Sequence, residues 1–305
     1  MIYIIGFGAI GRALSLFLVA RGRRVTVIRG SVNDGSRTQE EVVVELADGT
    51  LLTQTIPVVT LDAVDHIDGL VVLTTKSFGN KDLALKLASR VQQTPVVILQ
   101  NGLNVEAPFT SLGFRHIYRC VLFSTSLILE NGVVRFRPVT DSPVGTIQGD
   151  VSTLQEIVSQ INTPWFPFRE EQHIQQVIWK KAIMNTVFNS ICPLLETDNG
   201  IFYRDAFALH IAQKLISSCL AVAAKAGVHL SPEEIETGLI NISKASAGQS
   251  ISTLQDISNG RQTEIDTLNF EIFRIAQQQG MEATANDILL LGELIKLKEQ
   301  INLKS

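Results

Sequence analysis

Lys181, Asn185 and Asn189 recur at i, i+4 and i+8, the spacing that stacks side chains on one face of a helix. Asparagine is a poor helix former. Two of them among Ile183, Val187, Phe188 and Ile191 mark a polar stripe in an otherwise apolar helix. Buried polar side chains need partners, which a small polar ligand or a neighbouring helix can supply. A lysine partly withdrawn from water has its pKa drawn toward the working range. It can stabilise negative charge growing on a carbonyl oxygen and give that oxygen a proton. Further along, Ser252 offers a hydroxyl to a carboxylate, and Glu264 a strong acceptor for a hydroxyl or an ammonium; both also suit loop and helix-cap positions.

The chain opens on a second kind of chemistry. Gly6-Phe7-Gly8-Ala9-Ile10-Gly11 matches G-x-G-x-x-G, and it follows an apolar strand and begins a helical period, the context that gives the motif meaning. The first glycine permits the tight turn, the second leaves room for a pyrophosphate, and the third lets helix and strand pack closely. Unpaired amides at the helix start complete a phosphate site. NAD binders usually place an acid after the second strand to grip the ribose hydroxyls. Here that strand ends Val27-Ile28-Arg29 and no acid appears before Asp34. An arginine there suits a 2′-phosphate, so the expected cofactor is NADPH. Two other strand ends, Thr75-Lys76 and Gln100-Asn101-Gly102, fall where ligands of doubly wound sheets bind.

The elements that must carry these residues alternate in the first half. Strands are expected over 2–5, 24–28, 70–75 and 96–100, and helices over 11–21 and 81–91. Hairpins are expected around Asp48-Gly49 and Glu130-Asn131-Gly132, both tight-turn signals. A helix over 153–161 follows. From about residue 171 the pattern is helical: 174–195, 203–226 ending at Gly227, a start at Ser231-Pro232-Glu233-Glu234, then 263–279 and 285–300. The expected fold is α/β, a Rossmann-type, mostly parallel doubly wound sheet over residues 1–170, followed by an all-α C-terminal domain over 171–305.

Composition agrees with a globular enzyme: 305 residues, 45% hydrophobic, 18% charged, net charge −4. That balance argues against a nucleic-acid partner. Three scattered cysteines form no CxxC pair, which removes the zinc and thioredoxin readings and fits a reducing cytoplasm. The apolar N-terminus has no basic leader and is broken by glycines, unlike a signal peptide. No run of about eighteen uninterrupted apolar residues suggests a membrane span.

In order along nearly the whole chain, these segments resemble the ketopantoate reductase family (2-dehydropantoate 2-reductases). The resemblance rests on the glycine turn, Thr75-Lys76, Leu99-Gln100-Asn101-Gly102-Leu103, the helix with Trp179, Lys181, Asn185 and Asn189, Ser252-Thr253-Leu254-Gln255-Asp256, and Thr263-Glu264-Ile265-Asp266. It implies NADPH-dependent reduction of 2-dehydropantoate to (R)-pantoate, a step toward pantothenate and coenzyme A. Lys181 would be the general acid, with Asn185, Asn189 and Ser252 on substrate hydroxyl and carboxylate groups. Glu264 would orient substrate or lysine, and Lys76 and Asn101 would serve the junction of cofactor and substrate. Two departures stand out. The family's phosphate-binding arginine falls one residue later, where this chain has Gly30, and Phe270 replaces a glycine after Asn269, a ring expected to reshape the pocket. Another 2-keto acid substrate and a non-catalytic NADP-binding regulator are the alternatives. Oligomeric state stays open, a homodimer included.

Overall fold

Short β-branched runs punctuated by glycine build the first unit. In the computed structural model, which describes residues 1–303 other than 31 and 92, the chain opens with β1 (Ile2–Ile5), α1 (Ala9–Ala20), β2 (Val25–Arg29), β3 (Arg37–Glu45), β4 (Leu51–Thr60), β5 (Leu70–Leu73), α2 (Asn80–Ala88), β6 (Val96–Ile98) and α3 (Ala107–Ser111). It continues through β7 (Ile117–Cys120), β8 (Ser124–Ile128), β9 (Val134–Pro138), β10 (Ser142–Gln148), α4 (Leu154–Ile161) and β11 (Phe168–Glu170). All strands join one sheet of order β11-β10-β7-β6-β5-β1-β2-β4-β3-β9-β8. Chain order reverses on either side of β1, which pairs in parallel with both β2 and β5. That reversal is the switch point where doubly wound sheets bind ligands. The parallel expectation holds at the centre, while β3–β4, β7–β10 and β8–β9 run antiparallel.

Both faces of the central strands are covered, as an all-parallel core requires. On one face Leu14, Phe17 and Leu18 of α1 pack with Ile4, Val27, Val72 and Phe136, each side chain contributing about 1.5–3 kcal/mol on burial. On the other, Leu87 and Phe109 pack with Val71, Val96 and Ile98.

The second unit is helical: α5 (Ile174–Leu194), α6 (Ile201–Arg204), α7 (Ala206–Lys225), α8 (Pro232–Ala245), α9 (Ser252–Ser258), α10 (Asn269–Gln278) and α11 (Glu282–Leu303). The Ser231 hydroxyl caps α8 by accepting from the Glu234 amide. By length and composition α7 alone is apolar enough to cross a membrane among the described residues. It packs against α6, α8, α10 and α11, and its Ala212, Leu215, Ile216, Cys219 and Val222 are buried. Its apolar face therefore serves a helical core.

Three expectations need correction. The single helix expected over 203–226 is two, because Asp205 is extended and its carboxylate accepts from the Ala208 amide as the N-cap of α7. The helix expected from 263 begins at Asn269, after a 3₁₀ turn over Ile265–Thr267. And the division lies elsewhere than at 170/171: Met1–Gln100 and Val105–Ile174 form one compact unit, while Asn101–Asn104 belong with the chain from Gln175 onward.

Candidate active site

β1 delivers the chain to Gly6, whose φ of +115° is open to glycine without strain. A Cβ on Gly6 would lie 2.8 Å from Thr74 Oγ1, and one on Gly11 would collide with the Gly6 carbonyl oxygen. Gly8 is different: a Cβ there meets nothing within 4 Å. Gly8 is the N-cap of α1, with no side chain capping it and no acid in the first turn. The opening amides of this helix have no intrahelical acceptors, and the helix dipole favours an anion in front of them. The residues present thus fit a dinucleotide pyrophosphate. Phe7 is half-buried between this turn and Arg12, whose guanidinium lies 4.4 Å over the ring; Ala9 and Ile10 form the first helical positions.

Arg29 ends β2, as its expected role requires, but it does not stand alone. Its Nη2 donates to Glu40 Oε1 of β3 at 2.6 Å. Lys76 is exposed just beyond the end of β5. At the end of β6, Gln100 is buried in a reciprocal amide pair: Asn80 Nδ2 donates to Gln100 Oε1 at 2.6 Å and Gln100 Nε2 to Asn80 Oδ1 at 2.8 Å. Asn80 also donates to the Val105 carbonyl at 2.7 Å, so one side chain pins both flanks of the 101–104 excursion. Beneath it the buried Arg119–Glu106 ion pair reaches the Gln100 carbonyl through Arg119 Nη2.

In the helical unit, α5 places Lys181 and Asn185 half-buried and Asn189 buried on one face. The Asn189 Oδ1 is fully enclosed and has no hydrogen-bond partner. A buried acceptor left unmade costs about 1–3 kcal/mol, and Thr186 Oγ1 on the same helix is buried in the same way. Asn101 and Glu264, 163 positions apart, are brought together by a 3.4 Å contact in which Asn101 Nδ2 faces Glu264 Oε2. The Leu103 amide donates to the Thr267 carbonyl at 2.8 Å, and a side chain on Gly102 (φ +101°) would run into Thr267. The backbone at Gly102 thus lies close against Thr267 of the same unit. Ser252 is exposed at the first position of α9. Phe270 packs on the Ile257, Ile265 and Ile295 cluster and lies against Gly292 of α11.

The segment carrying Glu264 and Thr267 is held from α11. Glu299 is 2% exposed; its Oε2 accepts from the Thr263 amide (2.8 Å) and hydroxyl (2.6 Å), and its Oε1 from Lys296 Nζ at 2.9 Å. Burial pushes the Glu299 carboxyl up, but the Thr263 and Lys296 donors outweigh it and hold the pKa below its ordinary 4.5. Burial likewise lowers the Lys296 ammonium, and its bonds to Glu299 and Asp266 outweigh that, leaving it above 10.5. A depressed carboxylate contributes stability that is complete above its unfolded value and lost as pH falls through the folded one; a raised ammonium contributes below its unfolded value. Glu299→Gln is therefore expected to cost about 2 kcal/mol at neutral pH, with the gap to wild type widest between roughly pH 4.5 and 10.5 and closing in acid. Urea melts across pH test this; a variant as stable as wild type at pH 7 would refute it.

Sequence reasoning did not reach Glu40, Thr74, Asn80, Thr267 or Glu299. Each acts through a partner far along the chain, so no local spacing announces it.

A dinucleotide turn at a sheet switch point, with a lysine-bearing helix face in an all-helical second unit, defines the class: two-unit oxidoreductases that work with a nicotinamide cofactor. The ketopantoate reductase PanE/ApbA profile matches residues 2–148, and the ketopantoate reductase PanE/ApbA C-terminal profile residues 173–299. The 2-dehydropantoate 2-reductase of Pyrococcus horikoshii is 30% identical over 98% of both chains. That of Escherichia coli is 25% identical over 98% of this chain and 95% of its own. Among solved structures, D-mandelate dehydrogenase with NADH and anilino(oxo)acetate superposes with a TM-score of 0.84 at 22% identity over 99% of both chains. A dimeric ketopantoate reductase from Staphylococcus aureus gives 0.79 at 17% over 99% of both. The chain belongs to the ketopantoate reductase family.

Proposed function

We propose that this protein reduces 2-dehydropantoate to (R)-pantoate with NADPH, in the route to pantothenate and coenzyme A. The observation that carries the reading is the α5 face that aligns Lys181, Asn185 and Asn189, in a chain of this family. Gly6, Phe7, Gly8, Ala9, Ile10 and Gly11 would hold the cofactor pyrophosphate, with Arg29, Lys76 and Asn101 on its other groups. When bound, the reduced nicotinamide supplies the hydride. Lys181 protonates the substrate carbonyl oxygen, and its positive charge stabilises the negative charge that develops there. Asn185, Asn189 and Ser252 bind the hydroxyl and carboxylate. Glu264, steadied by Asn101 and the Glu299-held segment, orients the substrate or the lysine. The domain roles follow the two compact units: 1–100 with 105–174 for NADP, and 175–305 with 101–104 for substrate and catalysis.

The sparse, odd number of cysteines suits the reducing cytoplasm, where this chemistry would run. We extend the proposal to a homodimer: Leu290, Leu294 and Leu297 give α11 an exposed apolar stripe at helical spacing.

A panel of 2-keto acids followed by NADPH absorbance tests the assignment. The highest kcat/KM is expected for 2-dehydropantoate, the ratio in which discrimination resides. Absence of turnover of 2-dehydropantoate by folded protein would overturn it.

A further inference from the structure

The end of β2 carries a feature that an arginine-for-phosphate reading leaves unexplained. Asp34, the first acid after the strand, is turned to its own loop, accepting from the Ser36 amide at 3.0 Å. The sheet instead returns an acid to Arg29 from β3. Arg29 is paired with Thr60 of β4, and Glu40 with Ile56 of the same strand. An even separation along β4 puts both side chains on one face of the sheet. There Arg29 Nη2 meets Glu40 Oε1 at 2.6 Å, and Thr38 Oγ1 donates to the same oxygen at 2.9 Å. The guanidinium carbon lies 6.0 Å from the centre of the Phe7 ring, inside the glycine turn. Both charged side chains are 34% exposed, so a ligand can reach either.

We propose that Glu40 is a cofactor-specificity residue that opposes Arg29, making the site accept a dinucleotide with a free ribose 2′-hydroxyl as well as one with a 2′-phosphate. This inference rests on the nicotinamide-dependent reading above. A 2′-phosphate seeking Arg29 must displace, or bind beside, a carboxylate already on the guanidinium, and like charges at that range repel. A 2′-hydroxyl meets no such repulsion. It can donate to Glu40, as a ribose hydroxyl donates to the acid that ends the second strand in NAD binders. Glu40 thus reduces the advantage of the phosphate without abolishing it.

Fluorescence titrations of NADPH and NADH into wild type, Glu40→Gln, Glu40→Ala and Arg29→Ala measure the competition directly, with no need for turnover. Wild type is expected to bind the two within about tenfold of each other. Glu40→Gln, which keeps the shape and the Thr38 bond but removes the charge, is expected to tighten NADPH by about fivefold to tenfold and to weaken NADH slightly. Glu40→Ala should move the ratio the same way, and Arg29→Ala should weaken NADPH selectively. An NADH-to-NADPH ratio of dissociation constants unchanged in both Glu40 variants, with their thermal melts intact, would overturn the inference and leave the oxidoreductase reading standing. Failure of wild type to bind either dinucleotide would overturn both.

Discussion

Lys181→Ala is expected to lower kcat by roughly 10²- to 10⁴-fold, the usual contribution of a positioned general acid, while the dissociation constant of NADPH stays within a factor of about two. The lysine sits half-buried mid-way along α5, and alanine is the stronger helix former, so the helix survives the change. The effect is then chemical rather than structural. Initial rates with 2-dehydropantoate, alongside cofactor titration and a thermal melt of the same sample, separate the two. A variant retaining full kcat would remove Lys181 from the proton-transfer role.

The second large effect divides the glycine turn by function. Gly11→Ala forces a methyl into the Gly6 carbonyl oxygen and to 2.7 Å from Thr74 Oγ1. Neither is the flexible end of a long side chain, so the cost is expected near 3 kcal/mol, outweighing the gain of about 1 kcal/mol in helix propensity. Gly8→Ala meets nothing within 4 Å and should change stability by no more than about 0.5 kcal/mol. Its methyl instead projects into the space left for the pyrophosphate, weakening NADPH by about tenfold. Melting curves and NADPH titrations of both variants check the pair. Equal loss of stability in the two would refute the distinction.

This division shows what kind of information a linear chain makes legible. The glycine turn could be read because strand, turn and helix are contiguous and each glycine answers a local demand. The polar face of α5 could be read because helical spacing alone aligns Lys181, Asn185 and Asn189. The partnership of Arg29 with Glu40 could not, because it depends on β3 pairing with β4 and β4 in turn with β2. Asn101 and Glu264 meet across 163 positions, beyond any local period. The apolar rhythm through 203–226 concealed a break that Asp205 makes as a cap. At 263–267 a helical pattern yielded to a 3₁₀ turn, in which the Thr267 amide bonds the Glu264 carbonyl. Phe270 looked like an intruder when set against a family glycine, yet opposite Gly292 it fills space that a glycine on α11 leaves.

The four residues Asn101–Asn104 make the helical unit discontinuous in sequence. A stretch of chain starting at Gln175 would lack the amide that faces Glu264 and the backbone that bonds Thr267. The two units are therefore not interchangeable cassettes. Shuffling a new helical partner onto this sheet by a single crossover near residue 174 would carry the loop of the old partner with it. Any exchange of the helical unit by recombination must move two separate segments together.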